Sequence, residues 1–212
     1  MVLTSAAISI LAWFDIISPL YLYLNFGLVF KRFQVWRLFT NFLYFGEFGV
    51  GFLFHLFLLF RNSKYLEKSV FRGNCADYIY FLFISGIILL ILSPLTGNMF
   101  LANSYSMSMT YYWGRKNKNT VVQVFGLINL RAPYLAWFYL AFSFLLESGF
   151  KNDCFGVLAG LIFYYFKDIF PRIKSLNGFQ LLKTPSFLRS FCNAVGLIND
   201  FMVEADDDGI LF

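Results

Sequence analysis

Histidine is almost absent from this chain. A single imidazole, His55, stands among 212 residues, which excludes any zinc site built on two histidines. Cysteine is scarce too: Cys75, Cys154 and Cys192 lie far apart, and no two have the spacing of a metal-ligand or redox pair. They read as buried or lipid-facing thiols. Charge is thin, at 14% of residues against 59% hydrophobic ones, and the mean hydropathy is +0.65. A soluble domain of this size could not cover so much apolar surface, so lipid is part of the solvent. The net charge of +5 does not indicate a nucleic-acid partner. The basic residues sit at the ends of apolar runs, where membrane orientation and anionic headgroups account for them.

What is present is a series of apolar segments divided by short loops: Val2–Phe14, Phe42–Phe60, Tyr78–Pro94, Asn98–Trp113, Val121–Leu146 and Cys154–Phe170. They predict an all-α membrane protein, with a membrane domain over residues 1–171 and a cytosolic C-terminal tail over 172–212. The second segment is almost wholly apolar and is expected to stop at Arg61. The first lacks the basic flank and small-residue cleavage site of a signal peptide, so it is read as a span. Loop two holds Arg61, Lys64, Lys68 and Arg72, loop four holds Arg115, Lys116 and Lys118, and the end of the chain holds Lys167, Arg172, Lys174, Lys183 and Arg189. Ser93–Gly97 holds no basic residue, and Glu147–Asp153 holds only Lys151. The positive-inside rule therefore puts loops two and four and both termini in the cytosol. Loop one, with Lys31, Arg32 and Arg37, breaks that pattern.

Several segments are short. At about 1.5 Å of rise per residue, Val2–Phe14 and Asn98–Trp113 reach only roughly 20 to 24 Å, against a hydrocarbon core of about 30 Å. Cys154–Phe170 is marginal by the same measure. Undersized spans thin the bilayer around them unless neighbouring helices bury them. The fourth segment is also too polar to face lipid all round. Asn103, Ser104, Ser108 and Tyr111 fall at helical spacing, so one face is expected to meet protein or water. The fifth carries Gln123, Asn129 and Arg131, and a charge at membrane depth usually faces a bundle interior or a wet cavity. Together Asn103, Ser104, Ser108, Gln123, Asn129 and Arg131 suggest a polar groove. The competing reading is an interhelical hydrogen-bond network, with Arg131 snorkelling to an interface. Gly156 and Gly160 form a small-xxx-small face suited to close helix packing inside the bundle. Asp77 and Glu47, near span ends, are read as capping or pairing residues.

The ordered motifs resemble a known family. Arg32-Phe33-Gln34-Val35-Trp36-Arg37 precedes Thr40-Asn41-Phe42-Leu43-Tyr44-Phe45-Gly46. Phe60-Arg61, Leu66-Glu67, Phe71-Arg72-Gly73 and Ala76-Asp77-Tyr78 follow. Then come Ala132-Pro133-Tyr134-Leu135-Ala136-Trp137, the Gly156/Gly160 pair with Tyr164-Tyr165-Phe166, and Thr184-Pro185-Ser186-Phe187-Leu188. From about Ile17 to Leu188 this order looks like the derlins, rhomboid-fold pseudoproteases of protein quality control. The chain departs from that pattern in a short segment before Ser18 and in Leu161, where a histidine commonly follows the second glycine. Its tail, Glu204 to Phe212, has no recognisable version of the ATPase-binding motif of many animal derlins.

The resemblance implies a six-transmembrane-helix, rhomboid-like bundle in the endoplasmic reticulum membrane, with loop one lying in the membrane interface. There Trp36 suits the headgroup region, and Arg37 can hydrogen-bond backbone carbonyls and pin the loop. It implies a non-catalytic retrotranslocation factor with misfolded clients, a membrane ubiquitin ligase complex and a cytosolic AAA ATPase reached indirectly. It permits association with itself or with other derlins. Neither cofactor nor metal is expected. Rhomboid proteases carry a GxSxG serine in span four and a histidine in span six. Here Ser104, Ser106 and Ser108 have no flanking glycines in that pattern, span six has no histidine, and His55 comes too early in the chain to match the base. An active intramembrane serine protease is the alternative. A small transporter would require repeat symmetry, and the two halves have no similarity.

Overall fold

A computed structural model describes residues 2–46, 49–71, 74–97, 99–124, 128–145, 149–172, 182 and 184–194. Helix α1 covers Val2–Trp13. Loop one then folds into a 3-10 turn at Pro19–Tyr21 and the short helices α2 (Phe26–Arg32) and α3 (Arg37–Thr40). Helix α4, Val50–Tyr65, runs into a π-helical turn at Leu66–Val70. Helices α5 (Cys75–Thr96) and α6 (Ala102–Lys116) follow. A hairpin of β1 (Val121–Val124) and β2 (Ile128–Arg131) leads into α7, Ala132–Leu145. Helix α8, Phe150–Tyr164, is prolonged by a π turn and a 3-10 turn to Arg172, and α9 covers Ser186–Ala194.

The arrangement is governed by where hydroxyls can be satisfied. Helix α6 is rich in serine, tyrosine and threonine, and every residue from Ser104 to Gly114 is buried. Hydrocarbon offers these groups no hydrogen-bond partner, so the polar helix takes the centre. It packs most extensively on α8, then on α7 and α4. The surrounding helices turn Leu53, Phe57, Phe83, Ile91, Trp137 and Phe144 outward. An aromatic stack of Phe81, Tyr112 and Phe163, with centroids 4.9 to 5.0 Å apart, ties α5, α6 and α8 together.

Among the described residues, two helical runs are long and apolar enough to cross a membrane: Cys75–Leu95, of 21 residues, and Phe150–Arg172, of 23 residues. The second corrects the marginal length read for the sixth segment, because the helix starts earlier and continues through its π turn. The apolar helices Leu3–Trp13 and Ala132–Leu145 are shorter. At about 1.5 Å per residue, the 15-residue α6 is about 22 Å long.

Two further segments need correction. The second was expected to start at Phe42 and stop at Arg61. Gly46, with φ +103°, cannot be helical, so α4 begins at Val50. It continues past Arg61, whose guanidinium donates to the Tyr139 hydroxyl instead of ending the helix. The larger error is the fifth, Val121–Leu146. Its first half is the hairpin, pairing Val121 with Arg131 and Gln123 with Asn129. β-Branched valines predominate there, and burial alternates with the period of a strand: Val122 and Val124 are buried, Val121 and Gln123 exposed. Pro133 lies in the first turn of α7, where its missing N–H is harmless, so the helix starts at Ala132. The tail from 195 onward and Glu47 lie outside the described residues.

Candidate functional site

Arg37 organises loop one. It is buried, with Nε donating to Gln34 Oε1 at 2.7 Å and one terminal nitrogen donating to the carbonyls of Leu20 (2.8 Å) and Tyr23 (3.0 Å). Its guanidinium also lies 4.8 Å from the Tyr23 ring centroid. One fork thus joins the start of α3 to the 3-10 turn some fifteen residues earlier. Thr40 adds a bond to the Leu22 carbonyl at 3.2 Å. Trp36, the neighbour of Arg37, points outward and is half exposed.

Gly156 and Gly160 face α6. A Cβ on Gly156 would meet the Ser104 carbonyl oxygen at 2.3 Å, and one on Gly160 would meet that of Ser108 at 2.8 Å. The two backbones approach as closely as glycine permits. Between them, Ser104 Oγ donates to the Asn152 carbonyl at 2.6 Å and Ser108 Oγ to that of Tyr105 at 2.7 Å. These serines belong to the α6–α8 seam and line no groove.

A polar cavity does exist, built from a different set of residues. His55 of α4, Asn103 and Ser106 of α6, Tyr139 and Ser143 of α7, and Asp153 of α8 all line it. With its mouth it encloses about 320 Å³, and its interior has room for a single water-sized guest. Asp153 is 2% exposed and Ser106 3%. One carboxylate oxygen of Asp153 meets the Ser143 hydroxyl. The other, with Ser106 Oγ and Asn103 Oδ1, has no hydrogen-bond partner among the described residues. Asn103 lies in the first turn of α6, Asp153 in the first turn of α8 and Ser143 near the end of α7. The cavity therefore opens at one end of the bundle.

The opposite end is basic. There Lys116 pairs with Asp168 at 2.5 Å, Trp113 Nε1 donates to Ser69 Oγ at 2.8 Å, and Lys167 donates to the Leu182 carbonyl at 2.8 Å. Asp77 accepts from Asn74 at 2.9 Å, accepts from Thr184, and lies 3.9 Å from Arg189, so it seats α9. Gln123, Asn129 and Arg131 belong to this end, because the hairpin follows Lys116 and Gly114 packs on the Ala132 carbonyl. All three are exposed on the hairpin. Of the six residues expected to form a groove, Asn103 alone reaches the cavity. His55, Ser143 and Asp153 were not read as part of it. A signal was available, since Asp153 stands three residues before Gly156 and so shares the face that meets α6.

The profile of the Der1-like family matches residues 1–186. A probable derlin-2 homolog of Dictyostelium discoideum is 38% identical over 189 residues, covering 86% of this chain and 73% of that protein. Derlin-2.2 of Zea mays is 40% identical over 187 residues, covering 83% and 74%. Derlin-2.1 of Arabidopsis thaliana is 39% identical over 187 residues, covering 83% and 75%. The chain is largely helical, and its composition and the two long apolar helices among the described residues suit a membrane protein. It belongs to the Der1-like family, the derlins.

Proposed function

We propose that this chain is a non-catalytic retrotranslocation factor of endoplasmic-reticulum-associated degradation. It takes misfolded proteins from the lumen or the membrane toward the cytosol for ubiquitination and proteasomal destruction. The reading rests on family membership together with one physical observation: a polar cavity opens at one end of a bundle whose central helix is about 22 Å long. The short helices α1 and α7, which turn Leu3, Trp13, Trp137 and Phe144 outward, thin the bilayer beside them, and buried acceptors inside the cavity lower the cost of bringing polar backbone into hydrocarbon. Helices α1, α4, α5, α6, α7 and α8 would be the six spans of a rhomboid-like fold, with loop one at the interface. The basic end, carrying Arg115, Lys116, Lys167 and Arg172, would face the cytosol with both termini, and the cavity the lumen. A membrane ubiquitin ligase, an AAA ATPase reached indirectly, and other derlins are the expected partners. The test lengthens α6 and α7 with leucines and, separately, replaces Asn103 and Ser106 with apolar residues. Each change is expected to slow degradation of a misfolded lumenal client in cells. Undiminished degradation in both overturns the mechanism.

A second reading, an active serine hydrolase, draws on one observation: Ser106, His55 and Asp153 line the same cavity. Ser106 Oγ has no hydrogen-bond partner among the described residues, so no base activates it. A fluorophosphonate probe is expected to leave Ser106 unlabelled, and labelling would favour the hydrolase.

A further inference from the structure

Three buried oxygens on residues that line the cavity can each accept and have no hydrogen-bond partner among the described residues: Asp153 Oδ1, Asn103 Oδ1 and Ser106 Oγ. One belongs to a carboxylate, and among the described residues no ion pair involves Asp153. An unpaired charge that deep is costly unless something of opposite sign meets it. The complementary guest has one positive charge, since one carboxylate faces it. It has the size of a water molecule, and it supplies three donors or accepts three oxygen ligands. A primary ammonium carries three N–H donors and no acceptor, which matches the three oxygens. An alkali cation, a hard ion that takes oxygen ligands, meets the same description.

We propose that the cavity is a receptor for a single monovalent cationic head, a primary ammonium or an alkali ion, held by Asp153, Asn103 and Ser106. A peptide could supply the ammonium from a lysine side chain or an N-terminus, with the rest of the peptide leaving through the mouth at that end of the bundle. The inference stands on the cavity's geometry and not on the client-handling reading, and its test uses no client.

The experiment is thermal melting of the purified full-length chain in detergent, at fixed ionic strength, in about 100 mM sodium, methylammonium or tetramethylammonium chloride. Tetramethylammonium has the charge but no N–H donor and exceeds the cavity's room. Sodium or methylammonium is expected to raise Tm by about 3 °C over tetramethylammonium, the shift of an occupied site in a chain of this size. Asp153→Asn is expected to melt no lower than the native chain in tetramethylammonium and to respond to neither cation. Ser106→Ala, which keeps the packing, is expected to respond more weakly than the native chain. A rise with methylammonium alone assigns the ammonium of a peptide, and a rise with sodium alone assigns the free ion. A rise with both assigns a site that takes either. Equal melting of the native chain in all three salts overturns the proposal, as does an undiminished response in Asp153→Asn.

Discussion

Gly156→Ala is the sharpest probe of the seam between α6 and α8. The new Cβ would stand 2.3 Å from the Ser104 carbonyl oxygen and 2.7 Å from Met107 Cβ. Ordinary contact distances exceed these by roughly 1 Å, so the helices must part by about that much. A backbone carbonyl in a helix cannot rotate away, which puts the cost near the upper end of overpacking penalties, about 3 kcal/mol. Alanine returns about 1 kcal/mol through its better helix propensity. The net loss of about 2 kcal/mol lowers Tm by roughly 4 to 8 °C in a chain of this size. Gly86→Ala in α5 is the control. Its Cβ would meet only Phe42 Cζ at 3.8 Å, so propensity alone acts and Tm holds or rises. The assay is thermal melting of both variants in the same detergent, followed by tryptophan fluorescence. Native-like melting of Gly156→Ala, or an equal fall in Gly86→Ala, refutes the close approach of the two backbones.

Other consequences follow from contacts elsewhere. Arg37→Lys keeps the charge but loses the fork that reaches Gln34, Leu20 and Tyr23 together. It is expected to cost about 1.5 to 3 kcal/mol and to expose loop one to protease, while Trp36→Ala leaves melting unchanged. Cys75 and Cys192 are buried in one cluster with Ala76, Ile79 and Leu188, where α9 meets α5. Copper-phenanthroline oxidation should therefore yield a Cys75–Cys192 disulfide on mass spectrometry. Asp77→Ala, which removes the anchor of Thr184 and Arg189, should lower its yield; a native chain that forms no such bond would place α9 elsewhere. Lys116→Ala removes a pair at the basic end that is partly open to solvent, and Tm is expected to fall by no more than about 3 °C.

The sequence was legible where a single physical cause acted. Apolar runs located α1, α5 and α8 within a few residues, because lipid demands continuous apolar length from any helix that faces it. The serine-rich α6 was recognisable as a helix that hydrocarbon could not surround, and Gly156 and Gly160 as a packing face. Legibility failed where two codes overlapped. Val121–Leu130 is apolar enough to pass for half a span, and only the run of valines and the position of Pro133 betray a hairpin before a helix. That error carried Gln123, Asn129 and Arg131 into a membrane span, whereas they are exposed on the hairpin. The cavity itself was hidden for a different reason. It draws one to three side chains from each of four helices, and no local pattern announces a meeting of His55, Ser106, Ser143 and Asp153.

The bundle's polar ties are unevenly distributed, and this bears on how it could yield to a guest. At the basic end, side chains of α6 bond to the π turn after α4 and to the π turn after α8, and Asp77 fixes α9. At the cavity end, α6 and α8 are joined by the glycine contact and by Ser104 with Asn152. Asp153 meets Ser143 of α7 through one oxygen, while its other oxygen, Asn103 Oδ1 and Ser106 Oγ have no hydrogen-bond partner among the described residues. Trp113 and Lys116 tie α6 to its neighbours at the basic end, whereas Asn103 Oδ1 and Ser106 Oγ supply no such tie at the cavity, and local opening follows the lower cost. Such a bundle can widen at one mouth while the other end keeps its helices in register. Stiffening the mouth, by an apolar pair in place of Asn103 and Ser143, would remove that asymmetry without touching the seam at Gly156.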